Sequence, residues 1–73
     1  MSTVHIHAPQ GFYIAQVRRR FERKWTQVGG EFKQKHRAQS TAAGNMVGDF
    51  VRARVLFCAE WYDPVVVMEA SRS

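Results

Sequence analysis

Seventy-three residues confine the chain to one domain, and a chain this short buries only about 60% of the surface it exposes when unfolded. That leaves little room for a second domain or a deep, dry catalytic pocket. Hydrophobic residues at 45% and aromatics at 12% exclude wholesale disorder, while a net charge of +5 on so small a body points to an anionic partner.

Residues 3–7 alternate around Val4 and Ile6 and fit a short edge strand, which Pro9 and Gly11 interrupt. Residues 12–17 (FYIAQV) have the aromatic and β-branched composition of a strand. Tyr13, Ala15 and Val17 share one of its faces, and Phe12, Ile14 and Gln16 the other. The chain is expected to turn within residues 18–23 and return through a second strand, 24–28, around Trp25. Gly29-Gly30 reads as a tight turn into a third short strand, 31–35, carrying Phe32.

The pattern then changes. Residues 36–46 place Ala38, Ala42 and Met46 at a spacing of four, the narrow apolar stripe of a short helix, with Gly44 and Gly48 as candidates for the left-handed residue that closes it. Residues 49–61 (DFVRARVLFCAEW) hold the strongest strand signal. Val51, Ala53, Val55, Phe57, Ala59 and Trp61 make one apolar face, and Arg52, Arg54, Leu56, Cys58 and Glu60 make the other, basic at its start. Asp63-Pro64 marks a turn before a final strand, 65–69, and residues 70–73 are expected to fray. The predicted fold class is α+β: a small antiparallel sheet of about four strands with one short helix, arranged as two hairpins flanking the helix.

The single cysteine, Cys58, cannot form an internal disulfide, and no apolar run approaches the ~20 residues a membrane span requires. The opening residues lack the basic-then-apolar order of a secretory leader. These features predict a cytoplasmic protein with no membrane association; a monomer is expected. No metal or cofactor is expected either: His5 and His7 share a strand face but lack carboxylate or thiolate neighbours. Cys58, inside an apolar strand, is expected to be a buried inert thiol. The sequence contains no Ser-His-Asp pattern, no paired carboxylates at a defined spacing and no phosphate-binding glycine loop, so an enzyme is not expected.

Charge is concentrated in one segment. Residues 18–37 hold eight basic and two acidic side chains, a balance of +6, whereas residues 38–73 come to −1. Arg18, Arg19, Arg20, Arg23 and Lys24 are the leading candidates for partner contact, because arginine suits bidentate recognition of phosphate or carboxylate. Nucleic acid is one candidate partner, with Phe21 and Trp25 interleaved among the charges for stacking on unpaired bases. No RNA-binding octamer, zinc-finger spacing or pair of good helices accompanies them, however. Trp61 and Tyr62, beside the unbroken run Val65-Val66-Val67-Met68, form a second candidate surface of the residue types that dominate protein–protein hot spots. A homodimer through the C-terminal strand is a third reading.

The length, the basic first half containing RRRFERKW and the ending RARVLFCAEWYDPVVVMEA resemble the small RNA-polymerase-binding transcription regulators of lytic Xanthomonas phages. The resemblance spans the chain in size, charge layout and fold plan. It implies a protein of the host bacterial cytoplasm that binds the N-terminal region of polymerase β′ and the β flap. Such binding would inhibit initiation by weakening the hold of the σ factor, with antitermination as a second effect. It carries over no individual contact residue, so the candidates above rest on charge and composition alone.

Overall fold

The structure, a computed structural model, describes residues 11–72. The expected strand over residues 3–7 and the histidine pair His5 and His7 lie outside them. Four strands and a helix follow in the order β1 (Gly11–Arg19), β2 (Thr26–Phe32), α1 (Lys35–Gly44), β3 (Phe50–Ala59) and β4 (Val65–Ser71). The strands make one antiparallel sheet in the order β2-β1-β3-β4. The α+β class and the two hairpins flanking the helix are therefore as expected. The long-range pairing of β1 with β3 joins the two hairpins at the centre of the sheet.

The β1–β3 register divides the chemistry of the sheet by parity. Tyr13, Ala15 and Val17 stand opposite Phe57, Val55 and Ala53, while Phe12, Ile14, Gln16 and Arg18 stand opposite Cys58, Leu56, Arg54 and Arg52. Because strand side chains alternate between faces, the first set faces α1 and the second forms the open face. The helix buries Ala38 and Ala42 against Ala15, Val17, Ala53 and Val55, the stripe its spacing predicts. Alanine at four of these six positions lets the helix approach closely. Val17 and Val55 are the largest fully buried side chains, so this core is thin. Tyr13, Val28, Phe32, Met46, Phe50, Val67 and Met68 close its rim.

Three expectations need correction. Gly29-Gly30 is not a turn between strands but a bulge within β2: Glu31 pairs with Ile14 and Val28 with Ala15, leaving both glycines without β1 partners. Gly29 has φ +72°, and a Cβ there would come within 2.8 Å of the Phe32 ring. The extra residues kink β2 and are accommodated by glycine without the steric cost a side chain would add. The helix is closed neither by Gly44 nor by Gly48. Asn45 ends it, with its backbone N–H donating to the Thr41 carbonyl (3.1 Å) and its side-chain Nδ2 donating to the same oxygen (2.8 Å). Gly48, with φ +58°, instead turns the chain into β3.

Residues 70–73, expected to fray, are held at least through Arg72. Ala70 and Ser71 pair with Ala53 and Arg52, and the Arg72 backbone N–H donates to the Val51 carbonyl (2.7 Å). The Arg72 guanidinium also donates to the Gly48 carbonyl, tying β4 to the turn before β3. Backbone pairing of an edge strand needs no apolar side chain, which explains why the polar composition misled.

Candidate partner-binding surface

The five basic residues of the first hairpin do not form one patch. Arg18 lies on the open face, half-buried, with its guanidinium 5.3 Å from the Trp25 ring. Arg19 lies on the other side, 4.8 Å from the Phe50 ring, and its Nη1 donates to Glu22 at 3.3 Å in an exposed ion pair. The β1–β3 register shifts between Arg18 and Arg19, with Val51 as the extra residue, where the strand pair ends. Arg20, Arg23 and Lys24 follow in the connection to β2, all exposed. The Arg20 backbone N–H donates to the Asp49 carbonyl (2.9 Å), anchoring the root of this connection to the turn before β3. At its tip Phe21 is 94% exposed.

Trp61 and Tyr62 sit at the opposite end of the sheet. They lie in the β3–β4 connection, beside the Gly11 end of β1 and away from Arg19. A nine-residue strand at about 3.3 Å per residue places the two connections roughly 30 Å apart. Trp61 is 89% exposed and adopts φ +74°, a left-handed conformation costly for a residue with a Cβ. Tyr62, Val65 and Val66 are also exposed, so this end presents aromatic and aliphatic side chains to solvent, with Val65 and Val66 on opposite faces of the sheet. Alternation through residues 49–61 puts Trp61 on the apolar face, yet Trp61 is also a candidate for an exposed surface; the strand ends at Ala59, and the turn holds Trp61 in solvent.

The fold also assembles a cluster that joins the candidates Arg18 and Trp25 to Gln16, Arg52 and Arg54, which were not candidates. Arg54 crosses beneath Trp25, its guanidinium carbon 4.0 Å from the ring centroid, and its Nε donates to Gln16 Oε1 at 2.7 Å. Arg18 and Arg52 are direct cross-strand partners, an unfavourable pairing of like charges. Among the described residues the only ion pair is Arg19 with Glu22, so Arg18, Arg52 and Arg54 are not neutralised by carboxylates there. The Arg18 Nε is shut off from solvent and has no hydrogen-bond partner among the described residues. The sequence signal was present in the shared parity of Gln16 and Arg18 on one strand and Arg52 and Arg54 on another. Joining them requires the register of two strands more than thirty positions apart.

Cys58 is half-buried on the open face rather than inside the helix-covered core. Partial burial pushes its thiol above the ordinary value of 9.0, and the Glu31 carboxylate adds to the shift. Both effects disfavour the thiolate, the form a nucleophile or metal ligand needs. No group of three or more metal-binding side chains occurs among the described residues, and no helix among them is long and apolar enough to cross a membrane.

The fold and surface thus define a small sheet domain with one basic end, one aromatic end and an arginine–tryptophan cluster on its uncovered face. Comparison with known proteins places nothing beside it: no family model matches, and neither a curated protein nor a solved structure matches significantly.

Proposed function

We propose that this chain is a non-enzymatic regulator that acts in the bacterial cytoplasm by binding RNA polymerase, inhibiting initiation through weakened σ binding and favouring antitermination. The observation that carries the reading is the separation of two exposed ends about 30 Å apart, one basic and one aromatic. A chain with two such ends can touch two elements of a large partner at once, as the resemblance implies for β′ and the β flap. Tryptophan, tyrosine and arginine are the residue types from which interface hot spots are built. The basic connection, with Arg19, Arg20, Arg23 and Lys24, suits a carboxylate-rich surface and would speed the encounter. No chemistry is required: occupying a surface that σ needs shifts the holoenzyme equilibrium.

The test is binding of the purified protein to nuclease-treated bacterial core polymerase. A complex is expected, with reduced σ retention. Trp61→Ala is expected to weaken it about 30-fold, the effect of a hot-spot loss near 2 kcal/mol. Absence of any complex at low salt sinks the proposal.

A further inference from the structure

The arginine–tryptophan cluster on the open face is not used by that reading, and its chemistry differs from both ends of the molecule. Trp25 is held against two guanidinium groups, at 4.0 Å for Arg54 and 5.3 Å for Arg18. Gln16 takes the Nε donor of Arg54 and so fixes the direction of its fork. Arg52 is exposed directly opposite Arg18. The arrangement concentrates positive charge that forms no ion pair among the described residues. An anion lying across the three arginines would offset it.

We infer that this face binds single-stranded nucleic acid, with Arg18, Arg52 and Arg54 on phosphates and Trp25 as the aromatic platform. Two observations favour a nucleic-acid strand over an acidic polypeptide. An arginine fork matches a carboxylate as readily as a phosphate, but bases offer planes on which indole and guanidinium both stack. The surface is also an uncovered sheet with one flanking aromatic, and a base can stack there only when it is unpaired. Glu31, opposite Ile14, and Glu69 are opposing charges on this face, and Glu69 stands in register with the cluster. It pairs in register with Arg54 without forming an ion pair, and it would repel a phosphate.

The test uses the Trp61→Phe protein, in which Trp25 is the sole tryptophan, titrated with oligothymidylate while indole emission is followed. Quenching is expected, and the log of affinity should fall with log salt at a slope of about −2, the value for three contacts on a single strand. Arg52→Ala should weaken binding and flatten the slope by about 0.7. Glu69→Gln should strengthen binding several-fold, a gain that loss of folding cannot imitate. Polymerase binding through the two ends should survive Arg52→Ala, so the two proposals fail separately. Unchanged emission at low salt would overturn the inference. So would quenching that persists in the Arg52→Ala, Arg54→Ala protein, equal quenching by polyglutamate, or equal affinity for duplex DNA.

Discussion

The two faces of the sheet are made from alternate residues of the same strands, yet they obey different rules. On one face, Ala15, Val17, Ala53 and Val55 meet Ala38 and Ala42 of the helix and exclude water completely. On the other, Gln16, Arg18, Arg52 and Arg54 stand one residue away along the same backbone, and the three arginines form no ion pair among the described residues. The covered face is thin, with nothing larger than valine fully buried, so each contact there carries a large share of a small total. The β1 and β3 residues of the open face include no fully buried side chain, so alterations there should cost less stability. This difference separates what holds the domain together from what it offers to a partner.

The sharpest way to break the comparison is to place a charge on the covered side. Ala53→Asp puts an unpaired carboxylate where exposure is zero, at a cost of several kcal/mol. That equals or exceeds what one small core supplies, so circular dichroism is expected to show no cooperative thermal transition. A transition near that of the parent protein would mean that the helix does not seal this face.

A smaller effect is expected where the covered face meets the bulge of β2. Gly29→Ala must hold a side chain at φ +72° with its Cβ 2.8 Å from the Phe32 ring. The left-handed backbone alone costs about 1–2 kcal/mol, and moving Phe32, part of the core rim, adds to it. Since about 1 kcal/mol moves the melting temperature of a domain this size by roughly 4–8 °C, a fall of that order or more should be seen. Gly30→Ala, with nothing within 4 Å of its Cβ, is the control and should lose much less.

On the open face the expected sign reverses. Arg52→Ala removes one member of a like-charge cross-strand pair, so stability should change by no more than about 0.5 kcal/mol, in the stabilising direction. Urea midpoints with unchanged slope would measure it. A loss above about 1 kcal/mol would show that Arg52 is structural.

The smallest effect concerns pH. The Cys58 thiol is raised in the folded state by burial and by Glu31, so the folded protein holds this proton more tightly than the unfolded chain. The resulting stability is fully present below the unfolded value of 9.0 and is lost as pH rises through the folded value. Urea midpoints should fall more steeply as pH rises from 9.0 to the folded value in the parent protein than in Cys58→Ala. Equal slopes would show that the thiol is not perturbed.

The covered face was legible because it follows from alternation and helical spacing. Tyr13, Ala15 and Val17, the odd positions from Val51 to Phe57, and Ala38 with Ala42 each announce a buried side through local periodicity. The bulge was not legible, since two adjacent glycines serve a tight turn as readily as an interruption within a strand. The basic hairpin was recognised as a run, but strand alternation and the register shift at its end send Arg18 and Arg19 to opposite sides of the sheet. Trp61 was expected to continue its strand, and the chain turns two residues earlier.

By itself the sequence determined the α+β class, the two hairpins flanking the helix, the alanine stripe and the location of most positive charge. Those properties depend on residue type and near-neighbour spacing, which a linear reading contains. Tertiary structure alone decided that the basic and aromatic candidates lie at opposite ends, and that Gln16, Arg18, Trp25, Arg52 and Arg54 meet on one face. Both depend on the register between β1 and β3, and that register is chosen by the packing of a thin core across the whole chain.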